Sequence, residues 1–176
     1  GYALANEYTT ALEIGDEPMQ FHLKFPAVPV AVGEERLEAI PQLLQDKPDL
    51  QVIILDDAFQ HRSIKAGLNI VLTDYNNLYT RDWWLPTGDL RDNRSSAKRA
   101  QIIIVTKCPV AISEQMKVNI KKELNINKNQ YIFFSTVAYG TPYHISSKDP
   151  FQLHQECEVL LVCGIANPKS LKHYLD

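Results

Sequence analysis

"VIILDDAFQHR", Val52–Arg62, runs four aliphatic residues into two adjacent carboxylates, then within four more positions into an amide and an imidazole. Val52–Leu55 has the length and β-branched content of a strand, and its unbroken apolarity suits one covered on both faces. Asp56 and Asp57 then stand at the strand's carboxyl end, the edge where open α/β sheets bind ligands. Carboxylates placed there can hold Mg²⁺ directly or through water, and a bound cation offsets the repulsion between neighbouring acids. The plainer reading is a strand-end Asp capping the next turn. Four polar groups together, Asp56, Asp57, Gln60 and His61, favour a chemical site over a cap.

Five further apolar runs flank this one, at Val28–Val32, Ile70–Thr73, Ile102–Thr106, Tyr131–Thr136 and Val159–Cys163. Helical spacing is expected between them, over Ala11–Phe25, Glu35–Gln45 and Ser113–Leu124. In the last, Ser113 is placed to cap while Met116, Ile120 and Leu124 share a face. Strands alternating with helices predict an α/β fold with a mostly parallel sheet flanked by helices. Residues 1–138 are expected to form an incomplete α/β core. Residues 139–176 read as a linker and the start of a smaller lobe. Tyr75–Ala100 is long and irregular, and connections of that length in compact domains usually have a use.

The chain has 176 residues, 45% of them hydrophobic and 22% charged, as in an ordinary globular protein. A net charge of −3 supplies no basic excess to neutralise phosphates, so nucleic acid is not expected as a partner. No apolar run approaches the roughly 20 residues that span a bilayer. Cys108, Cys157 and Cys163 form no CxxC pair, and His22, His144, His154 and His173 lack metal-ligand spacing, so no zinc site is expected. The phosphate-cradling G-x-x-x-x-G-K-[ST] is absent, since none of the seven glycines precedes a lysine. The chain opens on Gly1 without an initiator Met and stops at Asp176 in what reads as a helix. Both ends are therefore expected to be cut from something longer, with any phosphate loop lying before Gly1.

Ordered blocks then resemble one family. "EIGDEP" (Glu13–Pro18), "VPVAVGEERLEA" (Val28–Ala39), "LDDAFQHR" (Leu55–Arg62), "LPTGDLRD" (Leu85–Asp92) with "KRAQIIIVTK" (Lys98–Lys107), and "CGIANP" (Cys163–Pro168) are similar to the blocks of the tetraacyldisaccharide 4′-kinases. The resemblance implies a P-loop kinase fold, ATP and Mg²⁺ as cosubstrate and cofactor, and an acylated disaccharide 1-phosphate lipid as acceptor. It also implies peripheral work at the cytoplasmic face of the bacterial inner membrane. It makes Asp16 the catalytic base, with a partner His beyond Asp176 or, failing that, His173. Asp56 and Asp57 become the metal-binding acids, joined by Asp92 from the long loop. Gln60, His61, Arg91 and Glu17 fall on the substrate or phosphate side. Three positions depart from the family pattern: Ala58 replaces a Gly, Asp92 a Glu, and Asp89 a common Pro.

Taken by chemistry alone, Arg91 is the cation best suited to clamp phosphate oxygens in two places, while Lys98 and Arg99 read as a solvated basic patch. Trp83 and Trp84 suit either a core cap or an apolar ligand. Lys107 ends a strand at the ligand edge, where it either serves the site or pairs with an acid. The fragment by itself is expected to be inactive, or nearly so. Two other readings are open: a non-catalytic α/β binding or regulatory module, and a Mg²⁺-dependent phosphohydrolase, which the missing Asp-x-Asp spacing disfavours.

Overall fold

A computed structural model describes residues 1–88, 90–154, 157–165 and 168–175. Asp89, together with Ala166 and Asn167 of the CGIANP block, lies outside the described residues.

Two sheets organise the chain. Strand β1 (Tyr2–Leu4) pairs antiparallel with β2 (Ala31–Gly33), with Ala3 opposite Val32. Between them lie α1 (Ala11–Ile14) and α2 (Asp16–Lys24), and after them α3 (Arg36–Asp46) packs on both strands. Gly33 allows that approach, because a Cβ there would collide with the Cβ of Ala39 on α3. The helix expected over Ala11–Phe25 is thus broken in two. The break is Gly15, whose φ of +94° leaves the helical region.

The second sheet is parallel, with β3 (Ile70–Asp74), β4 (Ile102–Thr106) and β5 (Tyr131–Phe134) in that spatial order. Ile70, Ile102 and Tyr131 lie in one register row, and Leu72, Ile104 and Phe133 in another. Between β4 and β5 runs α4 (Glu114–Glu123), started as expected by the Ser113 hydroxyl accepting from the Met116 amide at 3.2 Å. Near the end, α5 (Lys169–Leu175) docks on the preceding loop through Tyr174 stacked on Tyr139, ring centres 4.7 Å apart.

Because side chains alternate across a strand, each face of the parallel sheet has its own residues. Ile103 and Val105 point into the core with Leu78, Ala100, Cys108, Ile120 and Leu124, while Val71, Ile132 and Phe134 border it. The opposite face is only partly covered: Ile70, Leu72, Tyr131 and Phe133 are exposed, and Ile102 and Ile104 are half-buried. Near-continuous apolar strands predicted cover on both faces. Among the described residues, helix packing seals one.

Two expected strands are absent. Val52–Leu55 and Val159–Cys163 enter no ladder among the described residues. A strand is stable through its ladder and the side-chain packing that ladder permits, and propensity alone does not substitute for either. Accordingly Val52 and Ile54 stay 72% and 89% exposed.

Candidate functional site

Asp56 and Asp57 fall on a turn rather than at a strand's carboxyl end. The turn is shaped by Asp57 itself, whose φ of +44° is left-handed, and by the Asp56 carboxylate, which accepts from the Asp57 amide at 2.9 Å. Among non-glycine residues Asp enters this region comparatively easily. Ala58, where the family pattern has Gly, is not among the positive-φ residues, so its Cβ meets no backbone strain.

The turn presents the Asp57 carboxylate to Arg91. Both terminal guanidinium nitrogens donate to it, Nη1 to Oδ2 at 2.9 Å and Nη2 to Oδ1 at 2.7 Å. The bonds to Asp57 push the Arg91 pKa up, holding its charge more firmly still. This fork links residues 34 positions apart, from two of the motif-bearing segments.

A tight loop delivers Arg91. Trp83 and Leu90 are tied by the Leu90 amide donating to the Trp83 carbonyl at 3.0 Å, and the Leu85 amide returns to the Leu90 carbonyl at 3.2 Å. Gly88 sits inside the closure, where a Cβ would strike the Trp83 backbone and the Asp82 carboxylate. Trp83 and Trp84 project from this loop and are exposed.

Asp92, expected beside a metal, is turned instead onto two guanidiniums. Its Oδ1 accepts from Arg62 and its Oδ2 from Arg99, each at 3.0 Å, and the Asn93 amide adds a bond of 2.7 Å. Burial pushes the Asp92 carboxyl up, but the Asn93 amide, the Ser96 hydroxyl and the two arginines outweigh it and hold its pKa below the usual range. Arg99 is likewise no part of a solvated patch. Half-buried, it lies over the Phe59 ring at 4.4 Å and donates to the Phe59 carbonyl at 3.1 Å. Lys98 is exposed as expected.

The carboxyl edge of the parallel sheet carries a different pair. Lys107, with φ +55°, places its Nζ 2.8 Å from Asp74 at the end of β3. Burial raises the Asp74 pKa, and the bonds from Lys107 and the Asn76 amide more than reverse this, leaving it lowered. Of the two roles open to Lys107, pairing with an acid is the one realised.

Other candidates stand apart from this cluster. Asp16 and Glu17 are exposed in the first turn of α2, and among the described residues neither side chain bonds to the Asp57–Arg91 pair. Gln60 is half-buried and His61 exposed, three and four positions beyond Asp57. His173 is exposed on α5. No group of three or more His, Cys, Asp or Glu side chains suited to a metal occurs among the described residues.

Sequence reasoning missed Arg62, Arg99 and Asp74. Arg62 closes the DDAFQHR motif, so its position was a usable signal. The role of Arg99 was not readable, because nothing local to KRA indicates a partner on a segment forty residues earlier.

A family profile described as "Tetraacyldisaccharide-1-P 4'-kinase" matches residues 1–176. A tetraacyldisaccharide 4′-kinase of Flavobacterium johnsoniae is 46% identical over 179 residues, covering 99% of this chain and 52% of the relative. One from Bacteroides thetaiotaomicron is 45% identical over 192 residues, covering 100% and 50%. One from Porphyromonas gingivalis is 41% identical over 171 residues, covering 96% and 48%. The chain spans about half the length of these curated relatives. No solved structure matches it. With a profile matched from the first residue to the last, the chain belongs to the tetraacyldisaccharide-1-P 4′-kinase family.

Proposed function

We propose that this chain is part of an enzyme that transfers the γ-phosphate of ATP to the 4′-hydroxyl of a tetraacylated disaccharide 1-phosphate. The products are ADP and the 1,4′-bisphosphate, and the hydroxyl proton is released. The enzyme would meet its lipid at the cytoplasmic face of the inner membrane. One observation carries the reading beyond family membership: the two-point Arg91–Asp57 pair, which brings an acid and a cation from separate motifs to one place.

Phosphoryl transfer asks little covalent chemistry of a protein; it needs alignment and neutralisation of charge. Arg91 presents a planar donor fork that suits phosphate oxygens as well as carboxylate ones. To bind phosphate it must release Asp57, so the pair describes a resting arrangement. The donor set fits Mg²⁺, which prefers one or two carboxylates together with waters and phosphate oxygens. Asp56 and Asp57 would hold it once Arg91 lets Asp57 go, whereas Asp92 is gripped by two arginines at once. When bound, Mg²⁺ screens the phosphate charges during transfer. Asp16 accepts the hydroxyl proton in this scheme, with Glu17 beside it, and Gln60 and His61 offer polar contacts next to the metal-binding acids.

The test is a 4′-kinase assay on the whole protein that contains this chain. Asp57→Asn and Asp16→Asn are each expected to lower kcat by roughly 100-fold or more, on the scale of lost charge stabilisation and general-base catalysis. Undiminished kcat in Asp57→Asn would remove the metal role. Undiminished kcat in Asp16→Asn would remove the base.

A further inference from the structure

Asp57 and Arg91 each have a near neighbour in the grip of one side chain. Phe59, two residues past Asp57, gives Arg99 both its ring face, at 4.4 Å, and its carbonyl, at 3.1 Å. Asp92, directly after Arg91, gives Arg99 a carboxylate oxygen at 3.0 Å. Arg99 itself ends the 3₁₀ helix Arg94–Arg99 and is followed by Ala100, which is 2% exposed in the core that β4 enters. A second tie runs parallel, from Arg62 to the other Asp92 oxygen at 3.0 Å and to the Ser96 hydroxyl at 3.3 Å. The two segments of the site therefore meet through the guanidinium of a residue whose chain neighbour, Ala100, lies in the core.

We propose that Arg99 is a positioning residue for phosphoryl transfer: it bridges Phe59 and Asp92 and so sets Arg91 opposite Asp57. The proposal rests on the kinase reading above. Arg99 touches neither reacting group. It acts through the spacing of the loop that carries Arg91 and the turn that carries Asp57. A lysine could keep the bond to Asp92, but it has no planar cation to lie over Phe59 while also donating to the Phe59 carbonyl.

The experiment is a double-mutant cycle in the whole protein, pairing Arg99→Met with Arg91→Met and read as kcat. Arg99→Met alone is expected to lower kcat roughly 10- to 100-fold, the scale of a small misplacement at a reacting centre. In the Arg91→Met background it should lower kcat no further, and Arg99→Lys should restore part of the loss. Multiplicative losses would assign Arg99 a separate or merely structural role and overturn the proposal, as would an Arg99→Met enzyme with unchanged kcat. If Arg99→Met does not fold, the cycle is run with Arg99→Gln under the same criteria. Tryptic cleavage after Arg91 reads the bridge without any activity: it should quicken in Arg99→Met, and an unchanged rate counts against the bridge. Should the unmodified whole protein show no 4′-kinase activity, the functional reading falls, and this cleavage rate decides the bridge by itself.

Discussion

Asp57 combines a left-handed backbone at φ +44° with a carboxylate whose two oxygens are both engaged by Arg91. Left-handed geometry costs an L-residue roughly 1–2 kcal/mol, less for Asp than for most. The ion pair is solvent-facing, its side chains 53% and 62% exposed, so water screens it and it adds little to stability. Such a pair is weak enough to open when a stronger ligand arrives. Replacing Arg91 by Gln should therefore tighten Mn²⁺ binding severalfold in the absence of nucleotide, measured by electron paramagnetic resonance, while kcat falls. Unchanged or weaker Mn²⁺ binding would mean that Arg91 does not compete for Asp57. At this scale the sequence was informative about identity and poor about partnership. Asp57 and Arg91 are marked by their motifs, whereas the two arginine partners of Asp92 lie 30 and 7 residues away from it and leave no local mark.

Elements whose signals are local were legible in the sequence, and those that depend on a neighbour were not. Ser113 and the 113–124 spacing located α4 because a cap and a periodic face act within one helix. Val52–Leu55 shows the opposite case, since a ladder partner cannot be read from the strand itself. Two predictions belong here. Arg81 donates to both Glu123 oxygens at 2.7 and 2.6 Å, tying the segment after β3 to the last turn of α4. The bond from Arg81 is the main cause holding the Glu123 pKa below its ordinary 4.5, against an opposing effect of burial. A depressed folded pKa means the stabilisation is present above about pH 4.5 and is lost as pH falls through the folded value. Glu123→Gln should thus cost about 0.5–1 kcal/mol at neutral pH in urea unfolding, with the difference from wild type vanishing in acid. Gly88→Ala, by forcing a Cβ into the Trp83 backbone, should open the loop and lower kcat in step with loss of the Arg91–Asp57 contact. An alanine variant with wild-type kcat would show that this closure is not what aims Arg91.

Over the whole molecule, the chain exposes 14022 Å² of surface, whereas a folded monomer of 20.0 kDa is expected to expose about 8,700 Å². The excess includes the open sheet face formed by Ile70, Leu72, Tyr131 and Phe133, together with Val52 and Ile54. Expressed alone, the 176-residue chain should bind the dye ANS strongly; absence of dye fluorescence would mean that these faces find cover. What core exists is concentrated under β4, so Leu78→Ala, at a fully buried position, should cost about 2–5 kcal/mol in denaturant unfolding. The α/β class was legible because apolar runs alternate with helical periods, but cover on one face and not the other depends on packing between distant segments. Cys108 makes this core chemically readable. Its thiol is 5% exposed within the cluster under β4, burial pushes its pKa up, and its Sγ lies 3.4 Å from the Val105 carbonyl, whereas Cys163 is exposed and Cys157 half-buried. Thiolate is the reacting form, so iodoacetamide should modify Cys163 first, Cys157 next and Cys108 last. The Cys108 alkylation rate, followed by mass spectrometry, then becomes a built-in clock for how often the sheet parts from α4.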